Sequence, residues 1–185
     1  MVLSRVDKIL KKIEKKAQNE NLPIIGPNKG QILLEIIKDN KPKRVLEVGT
    51  LIGYSAILIG KELDNNAHLI TIEIDSKKAE MAKANIKKAQ IPPIVEVKIG
   101  DANEEIPRLE GKFDLVFIDA EKKEYSNYLR LIEDKLHKES VIVADNAGIY
   151  ADQMRNFLEY VRFSGKYQSR YVPVGKDGLE ISVKL

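Results

Sequence analysis

The sequence predicts an α/β protein with a doubly wound, mostly parallel sheet and helices on both faces. Short apolar runs rich in Val, Ile and Phe alternate with longer segments whose apolar residues recur at helical spacing. The expected strands lie near residues 44–48, 69–74, 94–99, 113–118 and 140–144. The segments between them, such as 76–90, are long enough for the crossover helices that connect parallel strands, and a last helix is expected over about 151–163. Two further strands around Lys176, Asp177 and Gly178 are expected to form a C-terminal antiparallel hairpin, which makes the sheet seven-stranded.

Two helices are expected before the first strand. The apolar stripe of the first helix consists of Leu3, Val6, Leu10, Ile13 and Ala17. Its other faces carry Lys8, Lys11, Lys12, Lys15 and Lys16. This basic cluster suits RNA or a membrane surface, although a solvated helix face is the more common meaning of such a charge run. Pro23, Gly26 and Pro27 end the first helix, and the second is expected from Asn28 to about Asp39.

Composition narrows the class of protein. A chain of 185 residues with 43% hydrophobic content can bury a core and is expected to form one domain over residues 1–185. No apolar run is long enough to span a membrane and no segment is signal-like, so a cytoplasmic location is expected. Without cysteine the chain has no disulfides, and any metal must be bound by oxygen or imidazole. A net charge of +3 permits an anionic partner without requiring one.

The segment VLEVGTLIGYS, at 45–55, predicts a ligand site. A buried strand runs into Gly49 and Gly53, which allow the backbone to turn sharply against a ligand. The following helix, from about Tyr54 to Leu63, directs its N-terminal amides at the same place.

The spacing of the loop indicates which ligand it binds. A dinucleotide fingerprint needs Gly-x-Gly-x-x-Gly, and here Thr50 follows the first glycine and only the outer turn positions are glycine. Glu47 would repel phosphates but suits a ligand with positive charge. This favours S-adenosylmethionine, which carries an ammonium and a sulfonium, over NAD or ATP.

Two further carboxylates lie at the carboxyl ends of the next expected strands. Glu73 lies in LITIEID, about 20 residues past the glycine loop, where an acid can accept the ribose hydroxyls. Asp101 ends VEVKIGDA, near the expected position of an adenine amino group. Each acid alone is more often a strand end or a helix cap. Together with Glu47, three acids at corresponding strand ends favour a nucleoside site.

Polar side chains also follow the fourth and fifth strands. Asp119 comes directly after 113–118, and Asp145 and Asn146 follow 140–144. Ligands of open parallel sheets bind outside the carboxyl ends of the strands, so these three side chains are expected to converge. Two carboxylates and an amide oxygen suit Mg²⁺ or Ca²⁺. The alternative for the last pair is a simple cap on the following turn.

These motifs together resemble the class I S-adenosylmethionine-dependent O-methyltransferases of the metal-dependent catechol and caffeoyl-coenzyme A type. The matching segments are GPNKGQ at 26–31, VLEVGTLIGYS at 45–55, FIDAEKKEY at 117–125, ADN at 144–146 and DGLEISV at 177–183. The combination of FIDAxK with a downstream DN is specific to the metal-dependent branch. The resemblance implies a Rossmann-like fold and, because relatives are often dimers, a possible homodimer.

The resemblance also implies roles for single residues. Asp119, Asp145 and Asn146 correspond to the metal ligands, with Mg²⁺ expected and Ca²⁺ or Mn²⁺ as alternatives. Lys122 corresponds to the general base. The expected cofactor residues are Ile25, Glu47, Gly49, Thr50, Ser55, Glu73, Asp101, Ala102 and Asp119, of which Thr50 is included for its place in the glycine loop. The N-terminal helices, residues 1–40, are expected to cover the cofactor site.

A reaction follows from these residue types. A divalent cation would gather two vicinal oxygens of a small catechol-like or phenolic acceptor and lower the hydroxyl pKa from ~10. Lys122, three residues after Asp119, would take the proton, and the oxygen would attack the sulfonium methyl. By charge pattern alone Lys122 is a solvated lysine in an EKKE run, and only its register with Asp119 favours the catalytic role.

Two alternatives remain at this point. One is a transfer RNA methyltransferase acting on a hydroxylated base, with the basic first helix contacting phosphates. The other is a cofactor-binding protein without methyl transfer. The presence of Lys122 together with the complete Asp119, Asp145 and Asn146 set argues against it. Val172 falls where the catechol enzymes carry an acidic contact to the acceptor, which leaves the acceptor class open. His68 and His137 are expected on the surface, the first before a strand and the second on a helix.

Overall fold

The computed structural model describes residues 3–185, and its centre is one seven-stranded sheet. Residues 1 and 2, which belong to the expected domain, lie outside the described range. The strands are β1 (Arg44–Val48), β2 (His68–Glu73), β3 (Ile94–Ile99), β4 (Phe113–Ile118), β5 (Leu136–Ala144), β6 (Tyr167–Val174) and β7 (Asp177–Lys184). Their order is β3-β2-β1-β4-β5-β7-β6, and β1 to β5 pair in parallel. Strand β7 runs antiparallel to both β5 and β6, so the expected fold class with its C-terminal hairpin is confirmed.

Helices cover both faces of the sheet. They are α1 (Arg5–Glu20), α2 (Gly26–Asn40), α3 (Tyr54–Gly60), α4 (Ser76–Ala89), α5 (Ala102–Arg108), α6 (Tyr125–Ile132) and α7 (Arg155–Phe163). Successive strand residues point to opposite faces, and the buried apolar residues accordingly form two clusters. One cluster packs α1 to α3 against one face of the sheet, and the other packs α5 to α7 against the opposite face.

The helix starts follow local capping chemistry. Ser4 caps α1, Asp75 caps α4 and Asp101 caps α5, each by accepting a hydrogen bond from a backbone N–H of the first turn. Helix α2 begins at Gly26 rather than Asn28, because Pro27 fits the first turn of a helix, where no backbone donor is needed. Helix α7 begins at Arg155 rather than 151, since residues 145–154 form a series of turns.

The prediction that His137 lies on a helix is wrong. Strand β5 begins at Leu136, four residues earlier than expected, and His137 lies on it. The His137 backbone N–H donates to the Ser140 hydroxyl, and its ring is hydrogen-bonded to Asp114 on the neighbouring strand. A register shift between β4 and β5 accommodates this irregular start. Within residues 3–185, no helix is both long enough and apolar enough to cross a membrane.

Candidate active site

A cavity of about 1060 Å³ opens at the carboxyl ends of the parallel strands. The chain leaves β1 toward β2 on one side and returns to β4 on the other, which is where open α/β sheets bind ligands. The predicted site residues in its wall are Ile25, Gly49, Thr50, Ser55, Glu73, Asp101, Ala102, Asp119, Lys122, Asp145 and Asn146. The structure therefore brings together every predicted site residue except Glu47.

The glycine loop is held against the end of β4. Gly49 has a φ of +99°, and a Cβ there would lie 2.2 Å from the Asp119 carbonyl oxygen. Gly53 has a φ of +86°, and a Cβ there would lie 3.2 Å from the Ala82 backbone. Glycine is required at both positions because of the backbone conformation, and at Gly49 also because of the close approach.

Glu73 ties the glycine loop to the end of β2. One carboxylate oxygen accepts the Leu51 N–H at 2.7 Å, and the other accepts the Asp75 N–H at 2.9 Å. A carboxylate oxygen has a further lone pair after each such bond, so Glu73 can still accept hydroxyl donors from a ligand. Asp101, on the next strand end, accepts the Asn103 N–H at 2.8 Å, so it acts as a helix cap and also faces the cavity.

Glu47 lies beneath the cavity and not in its wall. It is fully buried on β1, and burial raises its pKa to about 7. The Thr71 hydroxyl donates to Glu47 Oε2, and the Thr50 and Thr71 hydroxyls are 2.5 Å apart. Among residues 3–185, Glu47 Oε1 finds no hydrogen-bond partner. A chain of hydrogen bonds thus links Glu47 to Thr71 and Thr71 to Thr50. Thr50 lines the cavity wall, whereas Thr71 does not.

The carboxylates of the expected metal site lie at the ends of β4 and β5. Burial, and then the charge of Asp119, raise the pKa of Asp145 above its ordinary value, so the two carboxylates repel each other across the cavity. Asn146 has a φ of +63°, and its Nδ2 donates to Asp177 Oδ2 at 2.8 Å, which leaves the amide oxygen for a cation. Repelling carboxylates beside an amide oxygen fit a divalent ion. No group of three or more His, Cys, Asp or Glu within residues 3–185 could hold a metal ion, so this site depends on the amide.

Sequence reasoning assigned no role to Lys29 and Asp177, which contact this cluster. Lys29 Nζ lies 2.5 Å from Asp145 Oδ1 and 2.9 Å from Asp177 Oδ2. Burial opposes the charge on Lys29, but the two aspartates raise its pKa above the ordinary value. Burial likewise opposes ionisation of Asp177, but hydrogen bonds from Lys29 and Asn146 hold its pKa well below the usual range. Lys29 lies in the motif GPNKGQ, and Asp177 begins the motif DGLEISV. A basic residue in the first turn of a helix is unfavourable, and this feature of Lys29 could have indicated an acidic partner.

Lys122 faces the cavity from a short 3-10 turn, Lys122–Glu124. Its ammonium lies 2.9 Å from Asp119 Oδ1 and 3.3 Å from the Tyr125 hydroxyl. Burial raises the pKa of Tyr125 well above its ordinary value, so this hydroxyl stays protonated and donates to the carbonyl at the end of β4, that of Ile118. Lys123 is exposed and does not line the cavity.

The open side of the cavity is apolar and aromatic. Ile149 and Tyr150 belong to the cavity wall, and both are exposed. Val172, expected near the acceptor, is not part of this wall; it pairs with Leu179 in the hairpin and packs against the core. The neighbouring Tyr171 packs close to Gly148, where a Cβ would lie 2.5 Å from the tyrosine oxygen.

The sheet order, the antiparallel β7 and the cavity at the strand ends define a Rossmann-like methyltransferase fold. The chain belongs to the O-methyltransferase family, whose model matches residues 3–156.

Similar proteins include catechol O-methyltransferases. The catechol O-methyltransferase of Niastella koreensis is 37% identical over 126 residues, 66% of this chain and 57% of the relative. Catechol O-methyltransferase B of Danio rerio is 36% identical over 174 residues, 87% of this chain and 65% of the relative. The matched region thus spans about three fifths of the length of these relatives.

Solved structures share the whole architecture. The O-methyltransferase of Bacillus cereus, in complex with SAH, has a TM-score of 0.88 at 25% identity and covers 96% of this chain and 91% of its own. The O-methyltransferase TomG of Streptomyces achromogenes, in complex with SAM, has a TM-score of 0.88 at 25% identity, with 99% and 92% covered.

Proposed function

We propose that this chain is a metal-dependent O-methyltransferase that moves a methyl group from S-adenosylmethionine to a hydroxyl of a small acceptor. One observation carries the proposal. Glu73, suited to a ribose, shares a single cavity with Asp119 and Lys122, which we propose as a metal ligand and as the proton acceptor. Family membership and the SAH and SAM complexes of two structural relatives support it.

The cofactor is proposed to bind along the glycine loop. Glu73 would accept the two ribose hydroxyls and Asp101 the adenine amino group, because both carboxylates face the cavity from adjacent strand ends. Gly49 and Ser55 would contact the methionine part, and Ile25 and Ala102 would enclose the nucleoside. Glu47 would act from below by orienting Thr50 through Thr71.

Asp119, Asp145 and Asn146 are proposed to hold a divalent cation, most simply Mg²⁺. When bound, the cation would lower the pKa of the acceptor hydroxyl and stabilise its oxyanion. The buried hydroxyl of Tyr125, next to Lys122 and donating to the end of β4, would keep this wall of the site in place.

Lys122 is proposed to receive the acceptor's proton at Nζ, after the ammonium beside Asp119 has given its own proton to solvent. Its hydrogen bonds to Asp119 and Tyr125 fix where that nitrogen lies. The acceptor oxygen then attacks the methyl carbon of the cofactor as the carbon–sulfur bond breaks. The electron pair of the broken bond stays on sulfur. Holding both reactants in one cavity supplies much of the rate.

The acceptor is proposed to be a small phenolic compound. Ile149 and Tyr150 offer an apolar and aromatic surface beside the carboxylate cluster, which suits the ring of a phenol. Val172 is apolar and lies outside the cavity wall, so it offers a second hydroxyl of the acceptor no contact, and we propose that this hydroxyl binds the cation.

A direct test incubates the purified chain with labelled S-adenosylmethionine and a panel of catechols, phenolic acids and bulk transfer RNA, with Mg²⁺ or with chelator. We expect methyl transfer to at least one phenolic compound, and only when Mg²⁺ is present. Transfer that persists in excess chelator would contradict the metal-dependent reaction. Cofactor binding without transfer to any acceptor would favour a binding protein.

The second candidate is methylation of a hydroxylated base in transfer RNA. The supporting observation is that the lysines on the outer faces of α1 are exposed at 8, 11, 12 and 15, where they could contact phosphates. Labelling of transfer RNA, with binding that weakens steeply as salt rises, would favour this candidate. Labelling of phenolic compounds alone would exclude it.

A further inference from the structure

We propose that Lys29 is an internal counter-ion that neutralises Asp145, one of the three proposed ligands, when no divalent ion is bound, and that the incoming ion must displace it from that carboxylate. The inference rests on the proposed metal site. It adds that the protein supplies its own competitor for that site, and that Asp177 holds this competitor when the ion binds.

The geometry places the ammonium on Asp145, one of the three proposed ligands. Lys29 Nζ lies 2.5 Å from Asp145 Oδ1, and the Asn146 N–H donates to the same oxygen at 2.6 Å. The carboxylate is only 2% exposed and the lysine side chain 14% exposed, so solvent screens this pair weakly. A divalent ion bound to Asp145 would meet the ammonium at contact distance, and two cations this close in a buried site repel strongly.

The position of Lys29 in its helix is electrostatically unfavourable without these partners. It lies in the first turn of α2, where the backbone N–H groups concentrate positive charge and basic residues are disfavoured. That turn contains no acidic residue to compensate. The charge of Lys29 is therefore held in place by Asp145 and Asp177, which come from distant parts of the chain.

Asp177 gives the displaced ammonium somewhere to remain. Its Oδ2 accepts Lys29 at 2.9 Å and Asn146 at 2.8 Å, and its Oδ1 accepts the N–H groups of Gly148 and Ile149 at 3.1 Å. Asp177 does not line the cavity. Lys29 can thus release Asp145 and keep its bond to Asp177. Its ammonium is therefore still paired with a carboxylate after the ion has bound.

The first test titrates the full chain with Mn²⁺ alone and follows free Mn²⁺ by electron paramagnetic resonance. Lys29→Met removes the competitor and should tighten Mn²⁺ binding by about 10- to 100-fold, the worth of one hydrogen bond between charged groups. Lys29→Gln keeps a donor for Asp145 without the charge and should also bind more tightly. Lys38→Met is the control, because it removes an exposed lysine of the same helix that pairs with Glu62, away from the cavity. It should match the wild type.

The second test measures melting temperatures in chelator and in Mg²⁺. In chelator, Lys29→Met leaves the buried Asp145 carboxylate without a cationic partner and should melt lower than the wild type. In Mg²⁺ the ion replaces the lost charge, so the variant should gain more from Mg²⁺ than the wild type does. A purely structural lysine would lower both melting temperatures equally, and that result would overturn the counter-ion role.

The outcomes separate this inference from the proposed function. If the wild type binds Mn²⁺ and both Lys29 variants bind it equally or more weakly, Lys29 is not a competitor and the metal site stands. If neither the wild type nor any variant binds Mn²⁺, both proposals fail together. If only the Lys29 variants bind Mn²⁺, Lys29 holds Asp145 permanently, and displacement by the ion is excluded.

Discussion

Lys122 and Lys123 are adjacent lysines in different environments. Lys122 is largely buried beside Asp119 and Tyr125, whereas Lys123 is exposed. If Lys122 takes the proton, Lys122→Ala should lower kcat by roughly 10²–10⁴ with cofactor affinity nearly unchanged. The loss should shrink at high pH, where the acceptor hydroxyl ionises unaided. Steady-state kinetics across pH, with calorimetry for the cofactor, provide the measurement.

Lys123→Ala is the matched control for that experiment. It removes the same charge one residue along the chain, outside the cavity wall, and should stay near the wild type. Equal small effects at both positions would mean that Lys122 is part of a solvated charge run and that another group accepts the proton.

Glu73 allows a prediction about binding alone. Its carboxylate already accepts two backbone N–H groups, so it is fixed in place before a ligand arrives. Losing its charge-assisted contact with the ribose should weaken S-adenosylmethionine binding by about 1.5–3 kcal/mol in Glu73→Gln. Calorimetric titration measures this directly. Affinity equal to that of the wild type would remove Glu73 from the cofactor site.

Glu47 allows a prediction about stability and pH. Burial raises its pKa to about 7 from an ordinary value of 4.5, so between these pH values the folded state binds more protons than the unfolded state. The free energy of unfolding should therefore fall as pH rises through this window, by at most about 3 kcal/mol from this group. Glu47→Gln cannot ionise and should lack this part of the slope. Urea unfolding of both proteins from pH 4.5 to 8 tests it, and parallel curves would refute the assignment.

At the scale of single elements, the glycine loop depends on how closely β1 approaches the end of β4. Gly49→Ala combines a positive φ with a Cβ 2.2 Å from a backbone oxygen, so it should destabilise the protein by more than the ~1–2 kcal/mol of left-handed strain alone. Gly165→Ala isolates the strain, since φ is +75° there and no atom of the described part of the chain lies within 4 Å of the added Cβ. Urea denaturation of the two variants measures the difference. Equal losses would mean that the loop can move away from Asp119.

Elements with a strong local signal were predictable from the sequence. The five parallel strands and the helix cap at Asp101 follow from apolar runs and first-turn chemistry. Features that depend on contacts between distant parts of the chain were not predictable from the sequence. The pairing of Lys29 with Asp145 joins residues 116 positions apart, and the strand around His137 depends on Asp114. Alternation along β1 also turns Glu47 into the core, which its place in the glycine motif does not reveal.

At the scale of the whole molecule, the two ligand sites are carried by different strands. The proposed nucleoside contacts lie at the ends of β2 and β3, whereas the cation cluster lies at the ends of β4 and β5. Asp119, at the end of the strand next to β1, lines the cavity between them. Removal of the cation should therefore abolish turnover while leaving most of the cofactor affinity.

Chelator and Asp145→Ala test this separation. Excess chelator should stop methyl transfer and added Mg²⁺ should restore it, because hard oxygen ligands hold such ions reversibly. Asp145→Ala should lose the Mg²⁺-dependent rate, yet calorimetry should show S-adenosylmethionine affinity within a few-fold of the wild type, since Asp145 lies on β5 and Glu73 on β2. The Glu73→Gln variant should show the converse, with weak cofactor binding and intact Mn²⁺ binding. If each variant lost both ligands, the two sites would form one cooperative unit, and the assignment of separate roles to the strand pairs would be wrong.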